Sequence, residues 1–465
     1  MFQESDLATL RTLVHGTVSS PGDPGYAIDT SGYNPSMVQR PDATLGAAGV
    51  EDIQNAIRWA AQREIPLGIQ ATGHGAAALM DCGLLINTSR LQDIVVDPEA
   101  DTVTVGPGVR WGQVLEEIVP EGFTGPHGSS GTVGTVGYVS GGGLPLMGRA
   151  LGFASDHVFS LDVVTADGRL RRLESGNADD AELFAALRGG KGNFGVITSM
   201  TLALTGFTDF YGGGIMYPQD AGPEVLHAFR EWTSQLPPDA SASLAFLHLP
   251  DVPFLPEPLR GTAPVHLRFG KFGSQETGDA LLEPMRHLSS PIMDTAGPMD
   301  YRAVGSIHMD PDDPVPALDR GSLLSDLSGP LADELLNQVG PGSESPLMMT
   351  EIRLMGGMLA ADPPVPDAVS GRGAGFHLYS VGLNVPPAAD ATAAALEQLN
   401  TAIEPYTAGA LVNLQGPSGG DPDRHPAWEP EVFRRLQAAK TTYDPQNLFR
   451  FGHAVPMSQV QAEPT

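Results

Sequence analysis

The chain has 465 residues, of which 41% are hydrophobic, and its 26 Lys and Arg against 55 Asp and Glu give a net charge of −29. This length is enough for two or three domains, and a surface this acidic repels nucleic acid and anionic membranes, so neither is expected as a partner. No apolar run has the length of a membrane span, and the acidic start lacks the pattern of a secretory signal, so we expect a cytoplasmic protein.

The first part of the chain alternates short apolar strands with amphipathic helices. Helical spacing of apolar residues occurs in EDIQNAIRWAA and RWGQVLEEI, whereas IPLGIQATG, LLIN, DIVVD and TVTVG have the composition of strands. SLDVVTADGRLRRL is typical of two strands joined at an Asp-Gly turn, and DDAELFAALRGG is typical of a helix that ends at glycine. These elements predict a mixed α/β domain over residues 1–205.

The composition changes after residue 205. Prolines cluster in DVPFLPEPLRGTAP and DPDDPVPALDR, longer strands are predicted at VHLRFG and GFHLYSVGL, and helices at EVLHAFREWTSQL and ATAAALEQLNTAIEPY. We predict a second domain over residues 206–428, with long loops that can form a pocket. Residues 429–465 are predicted to form a helix and a turn that return to the first domain.

Small residues are concentrated in the stretches QATGHG (70–75), GPHGSSGTVGTVGYVSGGG (125–143) and RGGKGNFGVIT (188–198). Glycine removes side-chain bulk, so backbone N–H groups can approach and cradle a phosphate. Few Lys or Arg are available locally, so an anionic cofactor would be held by backbone dipoles. The nearest match to a dinucleotide fingerprint, GPGVRWG (106–112), has its final glycine one residue late and favours a plain strand–helix turn.

The order of these stretches resembles the FAD-linked oxidases of the p-cresol methylhydroxylase and vanillyl-alcohol oxidase superfamily, and within it the berberine bridge enzyme-like branch. The similar segments are RPDATLGAAGVEDIQNAIRWAAQREIPLGIQATGHG, GTVGTVGYVSGGG, LFAALRGGKGNFGVIT, EIRLMGG and YDPQNLFR. The resemblance implies an α+β fold, with a two-part FAD-binding domain of the p-cresol methylhydroxylase type and an antiparallel-sheet substrate domain covered by helices.

His74 occupies the position that, in this branch, is bonded to the 8α-methyl carbon of FAD. A neutral imidazole nitrogen is a suitable nucleophile for that bond, and a tight glycine turn lets the ring come close. Many relatives have a second link through a cysteine, whose position here is Ser130, so the resemblance implies a single covalent link at His74 and no cysteinyl link. Tyr138 stands where relatives often have a histidine near the ribityl chain, a histidine thought to assist attachment.

The resemblance assigns further residues to FAD, although each of them is also compatible with ordinary turn chemistry. The diphosphate is expected at the backbone of Ala71, Thr72, Gly73, His74 and Gly75. The ribityl chain and the ring are expected beside Thr132, Gly134, Thr135, Gly137, Ser140, Gly141 and Gly142. The adenine side is expected at Gly192, Phe194, Gly195 and Val196, and the C-terminal neighbour of the flavin ring is expected to be Asn447.

The candidate substrate residues alternate along two predicted strands. Glu351 and Arg353 in TEIRLM project from one face, and the position of Arg353 often faces the substrate pocket in relatives. Glu351 is either the catalytic base or the ion-pair partner of Arg353. His377 and Tyr379 in FHLYSVG share a face and are expected across the pocket.

The stretch LVNLQG (411–416) departs from the family pattern, because sugar oxidases and related members usually have Tyr-x-Asn-Tyr there. Here Asn413 is kept and both tyrosines are missing, so the pocket is expected to suit a hydrophobic substrate such as an aromatic or polyketide-like intermediate. The candidate bases are then Glu351, Tyr379 and Tyr138, in that order.

Three further residues have reactive or ligating side chains but do not indicate a functional site. Cys82, the single cysteine, excludes an intrachain disulfide or a cysteine-based metal site and is expected to be a small buried side chain. Asn87 begins a glycosylation-like triplet but belongs to a predicted buried strand. His127 has no second or third ligand nearby, so no metal is expected.

These observations predict an FAD-linked oxidoreductase that oxidises a small organic molecule by hydride transfer to flavin N5, with O2 as acceptor and H2O2 as product. One alternative is a tailoring enzyme of secondary metabolism that catalyses an oxidative cyclisation or an oxygenation on the same fold. Another is a flavin-binding protein without turnover, whose proline-rich second domain is an interaction module. The oligomeric state is left open.

Overall fold

A computed structural model describes residues 4–177, 179–253, 255, 257–417 and 427–457. The helices of the first part are α1 (Glu4–Leu13), α2 (Pro24–Thr30), α3 (Val50–Ala61), α4 (Trp111–Ile118), α5 (Thr135–Val139), α6 (Gly148–Leu151) and α7 (Ala181–Leu187). Its strands are β1 (Thr17–Ser19), β2 (Ala43–Gly46), β3 (Leu67–Gln70), β4 (Leu84–Asn87), β5 (Ile94–Asp97), β6 (Thr102–Val105), β7 (Phe123–Thr124), β8 (Val158–Thr165), β9 (Leu170–Glu174), β10 (Gly195–Ala203) and β11 (Thr205–Gly206).

The second part follows without a long linker. Its strands are β12 (Phe210–Tyr217), β13 (Ala240–Leu247), β14 (Val265–Phe272), β15 (Met293–Asp294), β16 (Gly297–Pro298), β17 (Ala317–Leu324), β18 (Leu347–Leu354), β19 (Phe376–Leu383) and β20 (Thr407–Gly409). Its helices are α8 (Gly222–Thr233), α9 (Gln275–Arg286), α10 (Gly329–Val339) and α11 (Ala389–Ile403), and α12 (Pro430–Tyr443) ends the described elements.

The first part is built on two main sheets. One has the strand order β1-β2-β4-β3, in which β2, β4 and β3 are parallel because α3 makes the crossover between β2 and β3. The apolar face predicted for α3 is confirmed, since Ile53, Ala56, Ile57 and Ala60 are all fully buried against this sheet. The other sheet is antiparallel, with the order β5-β6-β10-β8-β9.

Among the described residues, the second part is organised around one nine-stranded antiparallel sheet, with the order β15-β12-β14-β13-β18-β19-β17-β20 and β16 paired to β12. One face is apolar and is covered by α8 to α11, where Phe229, Leu282, Leu335 and Leu396 join the core. The other face carries polar side chains. The predicted α+β fold, with an antiparallel-sheet domain covered by helices, is confirmed.

The last described segment packs back on the first part. α12 lies against α7, and Phe449 forms a parallel bridge with Leu67 at the start of β3. The buried ammonium of Lys440 donates to Asp444 Oδ2 at 2.7 Å, to Asn193 O at 2.9 Å and to Phe449 O at 2.6 Å. These bonds fix the segment beside the glycine-rich loop that precedes β10.

The sequence-based expectations of burial are wrong for Cys82 and correct for Asn87. The expectation that Cys82 is buried is wrong: its side chain is exposed, because it lies in the connection before β4, whose buried residues begin at Leu84. Asn87, at the end of β4, is buried as expected and donates to Asp29 O at 2.9 Å. None of the helices within the described ranges is both long enough and apolar enough to span a bilayer.

Candidate active site

The turn after β3 carries His74, and its backbone requires glycine. Gly73 adopts φ +71°, and a Cβ added there would lie 2.6 Å from the Cα of Gly32. Only a residue without a side chain permits this approach of two backbone segments. The turn, which starts at Ala71, therefore holds His74 in one place, beside the segment that contains Tyr33.

His74 is held on two sides. Its ring stacks on Tyr33, with centroids 3.7 Å apart and planes inclined by 14°, and its Nε2 lies 3.0 Å from Thr132 Oγ1. Thr132 Oγ1 in turn lies 2.8 Å from Ser130 Oγ. Burial, with the nearby charge of Arg110, lowers the pKa of His74 to about 4, so the imidazole is neutral at physiological pH.

The three glycine-rich stretches meet at one surface, called the groove below, where Lys191 of the third stretch lies against Gly75 of the first and Gly141 of the second. Gly75, Gly137 and Gly192, one from each stretch, are exposed. The carbonyl oxygen of Ser140 accepts from the N–H groups of Gly189 at 2.9 Å and of Lys191 at 3.0 Å, so two of the stretches are bonded to each other. The exposed glycines leave backbone groups accessible along this surface, which suits a phosphate-bearing ligand.

Several polar atoms beside the groove are buried and have no hydrogen-bond partner among the described residues: the hydroxyl groups of Tyr138 and Thr135 and Oδ1 of Asn413. Tyr138 packs edge-on against Trp111, with ring centroids 6.1 Å apart, and its carbonyl oxygen accepts from Asn413 Nδ2 at 2.7 Å. Such unpaired buried groups are costly unless a bound molecule satisfies them, so these residues fit a polar cofactor. Burial raises the pKa of Tyr138 far above its ordinary value, against a smaller opposing effect of Arg353.

The second glycine-rich stretch contains α5 and is therefore partly helical. Within it, Gly134 faces the Thr72 side chain, and a Cβ on Gly134 would lie 3.2 Å from Thr72 Oγ1. A Cβ on Gly141 would lie 2.1 Å from Asn413 Oδ1, so a larger residue there would have to displace the Asn413 side chain. The predicted cofactor residues Gly134, Gly141 and Gly142 thus lie with the His74 turn and with Asn413, although the side of Gly142 where its Cβ would stand is filled by Val369.

Only some of the predicted adenine-side residues lie at the groove. Gly192 is exposed there, whereas the side chains of Phe194 and Val196 are in the core, so only their backbone can contact a ligand. Gly195 begins β10, and a Cβ there would lie 2.5 Å from Val164 O. Close packing of β10 against β8 therefore explains that glycine without a ligand.

Asn447 lies near the start of β3, whereas the His74 turn follows the end of that strand. The bridge between Leu67 and Phe449 is parallel, so the chain after Phe449 runs in the direction of β3, toward the His74 turn. Asn447 precedes Phe449 and therefore lies beyond the start of β3. The position disagrees with the prediction that Asn447 neighbours the flavin ring. His453, further along the same segment, lies beside the third glycine-rich stretch, since its carbonyl oxygen accepts from Asn193 Nδ2 at 2.9 Å.

On the polar face of the large sheet, Glu351 is the centre of a buried cluster. It accepts from Arg268 Nη1 at 2.9 Å, from Arg353 Nη2 at 2.9 Å and from Ser243 Oγ at 2.6 Å, and His308 Nε2 lies 3.1 Å away. Burial alone would raise the pKa of Glu351, but the two guanidinium groups hold it well below its ordinary value. The ion pair with Arg353 that the sequence analysis weighed is therefore present.

His377 and Tyr379 do share a face, but they are on β19, directly beside β18. His377 is paired with Arg353 and Tyr379 with Glu351, so these residues are neighbours rather than opposite walls of a pocket. His377 is fully buried, both its ring nitrogens lack a partner within the described ranges, and burial lowers its pKa to about 3. It is therefore neutral.

Tyr379 is bonded to a residue that the sequence analysis did not consider. Its hydroxyl donates to Asp319 Oδ2 at 3.0 Å, and Asp319 lies on β17, the next strand of the sheet. Burial raises the pKa of Asp319 to about 6, against the opposing effect of the Tyr379 hydrogen bond. Both residues are only partly buried, unlike Glu351.

The stretch that lacks the family tyrosines is apolar in its packing. Leu411 and Leu414 belong to a cluster with Leu144, which directly follows the glycines of the second stretch, and with Leu323 of β17. His127, in the same glycine-rich stretch, is buried and bonded to Tyr301 Oη at 2.8 Å. Within the described ranges no three or more His, Cys, Asp or Glu are placed to hold a metal ion.

Sequence reasoning missed several residues that the fold brings to the site, namely Tyr33, Lys191, Arg268, His308 and Asp319. Lys191 carried a visible signal, as the one charged residue inside GGKGNFG. The other four belong to stretches without an unusual composition. Arg268 and Asp319 are positioned by strand register. His308 is positioned by the loop between β16 and β17, and Tyr33 by the connection between α2 and β2.

A neutral histidine beside backbone groups left open by exposed glycines suits a cofactor that carries phosphate groups. Residues 41–174 match the FAD binding domain family, and residues 425–456 match the family described as berberine and berberine like. The FAD-linked oxidoreductase YvdP of Bacillus subtilis is 26% identical over 473 residues, which cover 96% of this chain and 99% of YvdP. The FAD-dependent monooxygenase drtC of Aspergillus calidoustus is 30% identical over 226 residues, or 47% of this chain and 42% of drtC.

Solved structures share the fold over nearly the whole chain. The BBE-like 1 protein of Physcomitrella patens has a TM-score of 0.84 at 19% identity, over 97% of this chain and 99% of that one. The 6-hydroxy-D-nicotine oxidase of Arthrobacter nicotinovorans has a TM-score of 0.81 at 21% identity, over 95% and 98%. The chain therefore contains an FAD-binding domain and a berberine-like C-terminal segment, and it is similar along its length to FAD-linked oxidoreductases.

Proposed function

We propose that the chain is an oxidase that carries FAD covalently attached through His74 and oxidises a small, hydrophobic organic substrate with O2 as the electron acceptor. When bound, FAD supplies the hydride acceptor at N5 and passes the electron pair to O2, which yields H2O2. The residues of this chain hold the cofactor, orient the substrate and accept its proton.

The observation that carries the proposal is the state of His74. The ring is neutral, it is fixed by the Tyr33 stack, and Nε2 is engaged by Thr132, so Nδ1 is the nitrogen left to form a bond. A nucleophile must have a free lone pair and a fixed direction, and His74 meets both requirements at the edge of the glycine groove. Ser130, at the position of the second link in relatives, has a hydroxyl group that cannot form a thioether.

Of the three candidate bases, Tyr379 is the best suited. Glu351 is saturated by its partners and its pKa is lowered, so it has little tendency to take a proton. The Tyr138 hydroxyl has no described acceptor to which its own proton could pass. Tyr379 can take the substrate hydroxyl proton on its oxygen while its own proton moves to Asp319, whose raised pKa makes the carboxylate a better acceptor.

A hydrophobic substrate is favoured by the leucines at 411 and 414, where sugar oxidases usually have tyrosines, because Leu411 and Leu414 pack in an apolar cluster and offer no side-chain hydrogen bond. A sugar presents hydroxyl groups on every side, and a pocket that recognises one must offer hydrogen bonds to them. An apolar lining instead gains affinity by removing apolar substrate surface from water. We therefore expect aromatic or polycyclic alcohols to be better substrates than oligosaccharides.

Three measurements test the proposal. Acid-denatured protein should keep its yellow colour, the tryptic fragment with His74 should carry the mass of FAD, and peroxide should appear when a substrate is added under O2. His74→Ala should remove the covalent flavin, whereas Ser130→Ala should keep it. An unmodified fragment in a colourless protein would contradict the proposal.

A second candidate function is an oxygenation in secondary metabolism, favoured by the partial similarity to the FAD-dependent monooxygenase drtC. Isotope-labelled O2 separates the two: an oxidase releases the label as H2O2, and an oxygenase transfers it to the product. A third candidate is flavin binding without turnover. It predicts bound flavin that, once chemically reduced, is not reoxidised by O2 on the timescale of catalysis.

A further inference from the structure

Lys191 has an unusual backbone conformation for its residue type. It adopts φ +60° within a run of glycines, a region that costs a residue with a side chain about 1 kcal/mol or more. Its N–H donates to Ser140 O at 3.0 Å, and the next residue, Gly192, is exposed at the groove. Glycine would relieve the strain, so the lysine side chain needs a separate explanation.

The side chain of Lys191 extends across the groove. Its Nζ lies 3.4 Å from Gly137 O and 3.5 Å from the place where a Cβ on Gly75 would stand. Its Cε lies 2.6 Å from the corresponding place on Gly141. The ammonium group therefore stands where the three glycine-rich stretches meet, next to the turn that carries His74.

No carboxylate pairs with this ammonium group anywhere in the part of the chain that the structure describes, although acidic residues outnumber basic ones by 55 to 26. The other two lysines differ: Lys271 is paired with Asp239 and Lys440 with Asp444. Burial lowers the pKa of Lys191 to about 8, and its charge helps to lower the pKa of His453. A half-buried cation with accessible Nζ and no counter-charge is what an anionic ligand would stabilise.

We propose that Lys191 binds the diphosphate of FAD and is the cation of this cofactor site. The inference rests on FAD binding and adds a charged group to a site that we expected to act through backbone dipoles alone. The oxidised isoalloxazine is neutral, so the diphosphate is the standing negative charge of the cofactor. Lys191 also adjoins Gly75, in the turn to which the diphosphate is assigned.

The experiment measures the affinity for FAD without the covalent bond. In the His74→Ala chain, the flavin is removed and FAD is titrated into the apoprotein, alone and combined with K191Q, K191R or K191G. Losing one charge-assisted hydrogen bond should weaken FAD binding about 10- to 100-fold in K191Q, whereas K191R should stay within a few-fold of lysine. Arg434→Gln, an exposed charge on α12, is the matched control and should not change the affinity.

K191G separates charge from backbone strain. It should raise or maintain thermal stability, because glycine tolerates the positive φ, and yet bind FAD as weakly as K191Q. FAD binding in K191Q should also depend less steeply on salt, since one phosphate contact is lost. The midpoint potential of the covalently bound flavin should be the same in K191Q and in the wild-type chain.

The inference is overturned if K191Q binds FAD within twofold of its parent, or if K191G does so. It is also overturned if the affinity is kept and the midpoint potential falls, because the cation then acts on the flavin ring. If the His74→Ala apoprotein cannot be reloaded, the FAD concentration for half-maximal covalent incorporation replaces the affinity and should rise about tenfold in K191Q. A wild-type chain that binds no FAD at all would instead overturn the proposed function.

Discussion

Tyr33 stacks on His74 with ring centroids 3.7 Å apart and planes inclined by 14°. The stack sets the plane of the imidazole, and the Nε2 contact with Thr132 sets its rotation within that plane. Tyr33 is itself tied to the second part of the chain, because its hydroxyl donates to Pro311 O at 2.5 Å. The orientation of the proposed nucleophile therefore depends on contacts from both parts of the protein.

Tyr33→Ala should reduce covalent attachment of FAD. Loss of the stack, worth about 0.5 to 1.5 kcal/mol, lowers the population of the productive ring orientation roughly 2- to 10-fold. Tyr33→Phe keeps the ring but loses the hydrogen bond to Pro311, so it should lie between Tyr33→Ala and the wild type. The measurement is the flavin absorbance that stays with acid-denatured protein after timed incubation with FAD. A Tyr33→Ala chain that incorporates FAD at the wild-type rate would show that the stack has no role.

Thr132→Val should slow the attachment without abolishing cofactor binding. When Nε2–H donates to Thr132 Oγ1, the lone pair of His74 is on Nδ1, so loss of the hydroxyl makes this tautomer less dominant. We expect attachment to slow about 5-fold, equivalent to one hydrogen bond of about 1 kcal/mol. Thr132→Ser restores the hydroxyl and should restore the rate. Equal rates in Val and Ser variants would refute the role of the hydroxyl.

The rate of substrate oxidation should fall as the pH falls through about 6, the value to which burial raises the pKa of Asp319. Below this pH the carboxyl group is protonated and cannot receive the proton of Tyr379. Asp319→Asn should lower kcat about 10²- to 10⁴-fold, with little change in KM, and the acidic limb should disappear. Tyr379→Phe should match that loss. Asp310 and Glu351 also lie near Tyr379. Asp310→Asn is the control, and it should keep the fall in rate at acidic pH.

Asp319→Asn should also change the stability of the fold in a direction that depends on pH. The pKa of Asp319 is higher in the folded chain than in the unfolded one, so its contribution is favourable below about pH 4 and is lost as the pH rises through about 6. Asp319→Asn should therefore stabilise the protein relative to the wild type at pH 8 and not at pH 4. A change of equal size at both pH values would contradict the raised pKa.

Glu351→Gln should destabilise the fold by about 3 to 5 kcal/mol, because it leaves the guanidinium groups of Arg268 and Arg353 buried without their counter-charge. The lowered pKa of Glu351 makes its contribution present above about pH 4.3 and lost as the pH falls toward the folded-state value. Chemical unfolding at pH 7 measures the loss. Glu431→Gln removes the carboxylate from an exposed pair with Arg434 and should change stability by less than about 1 kcal/mol.

The sequence by itself determined what short-range forces decide. Ile53, Ala56 and Ile57 follow the helical period of 3.6 residues and are buried on one face of α3. Gly73, the glycine before His74, adopts the positive φ that other residues avoid. Alternation along TEIRLM correctly put Glu351 and Arg353 on one face, where they are bonded at 2.9 Å. In each of these cases the relevant neighbours are within four residues, so the pattern carries the information.

Only the tertiary structure decided which distant residues meet. Tyr379 and Asp319 are 60 residues apart, Arg268 and Glu351 are 83 apart, and each contact depends on strand order in a sheet whose register is set by the packing of its whole apolar face. The exposure of Cys82 and the remote position of Asn447 were mispredicted for the same reason. A local pattern specifies how a residue is oriented on its own element, whereas its environment is set by which other elements pack against it.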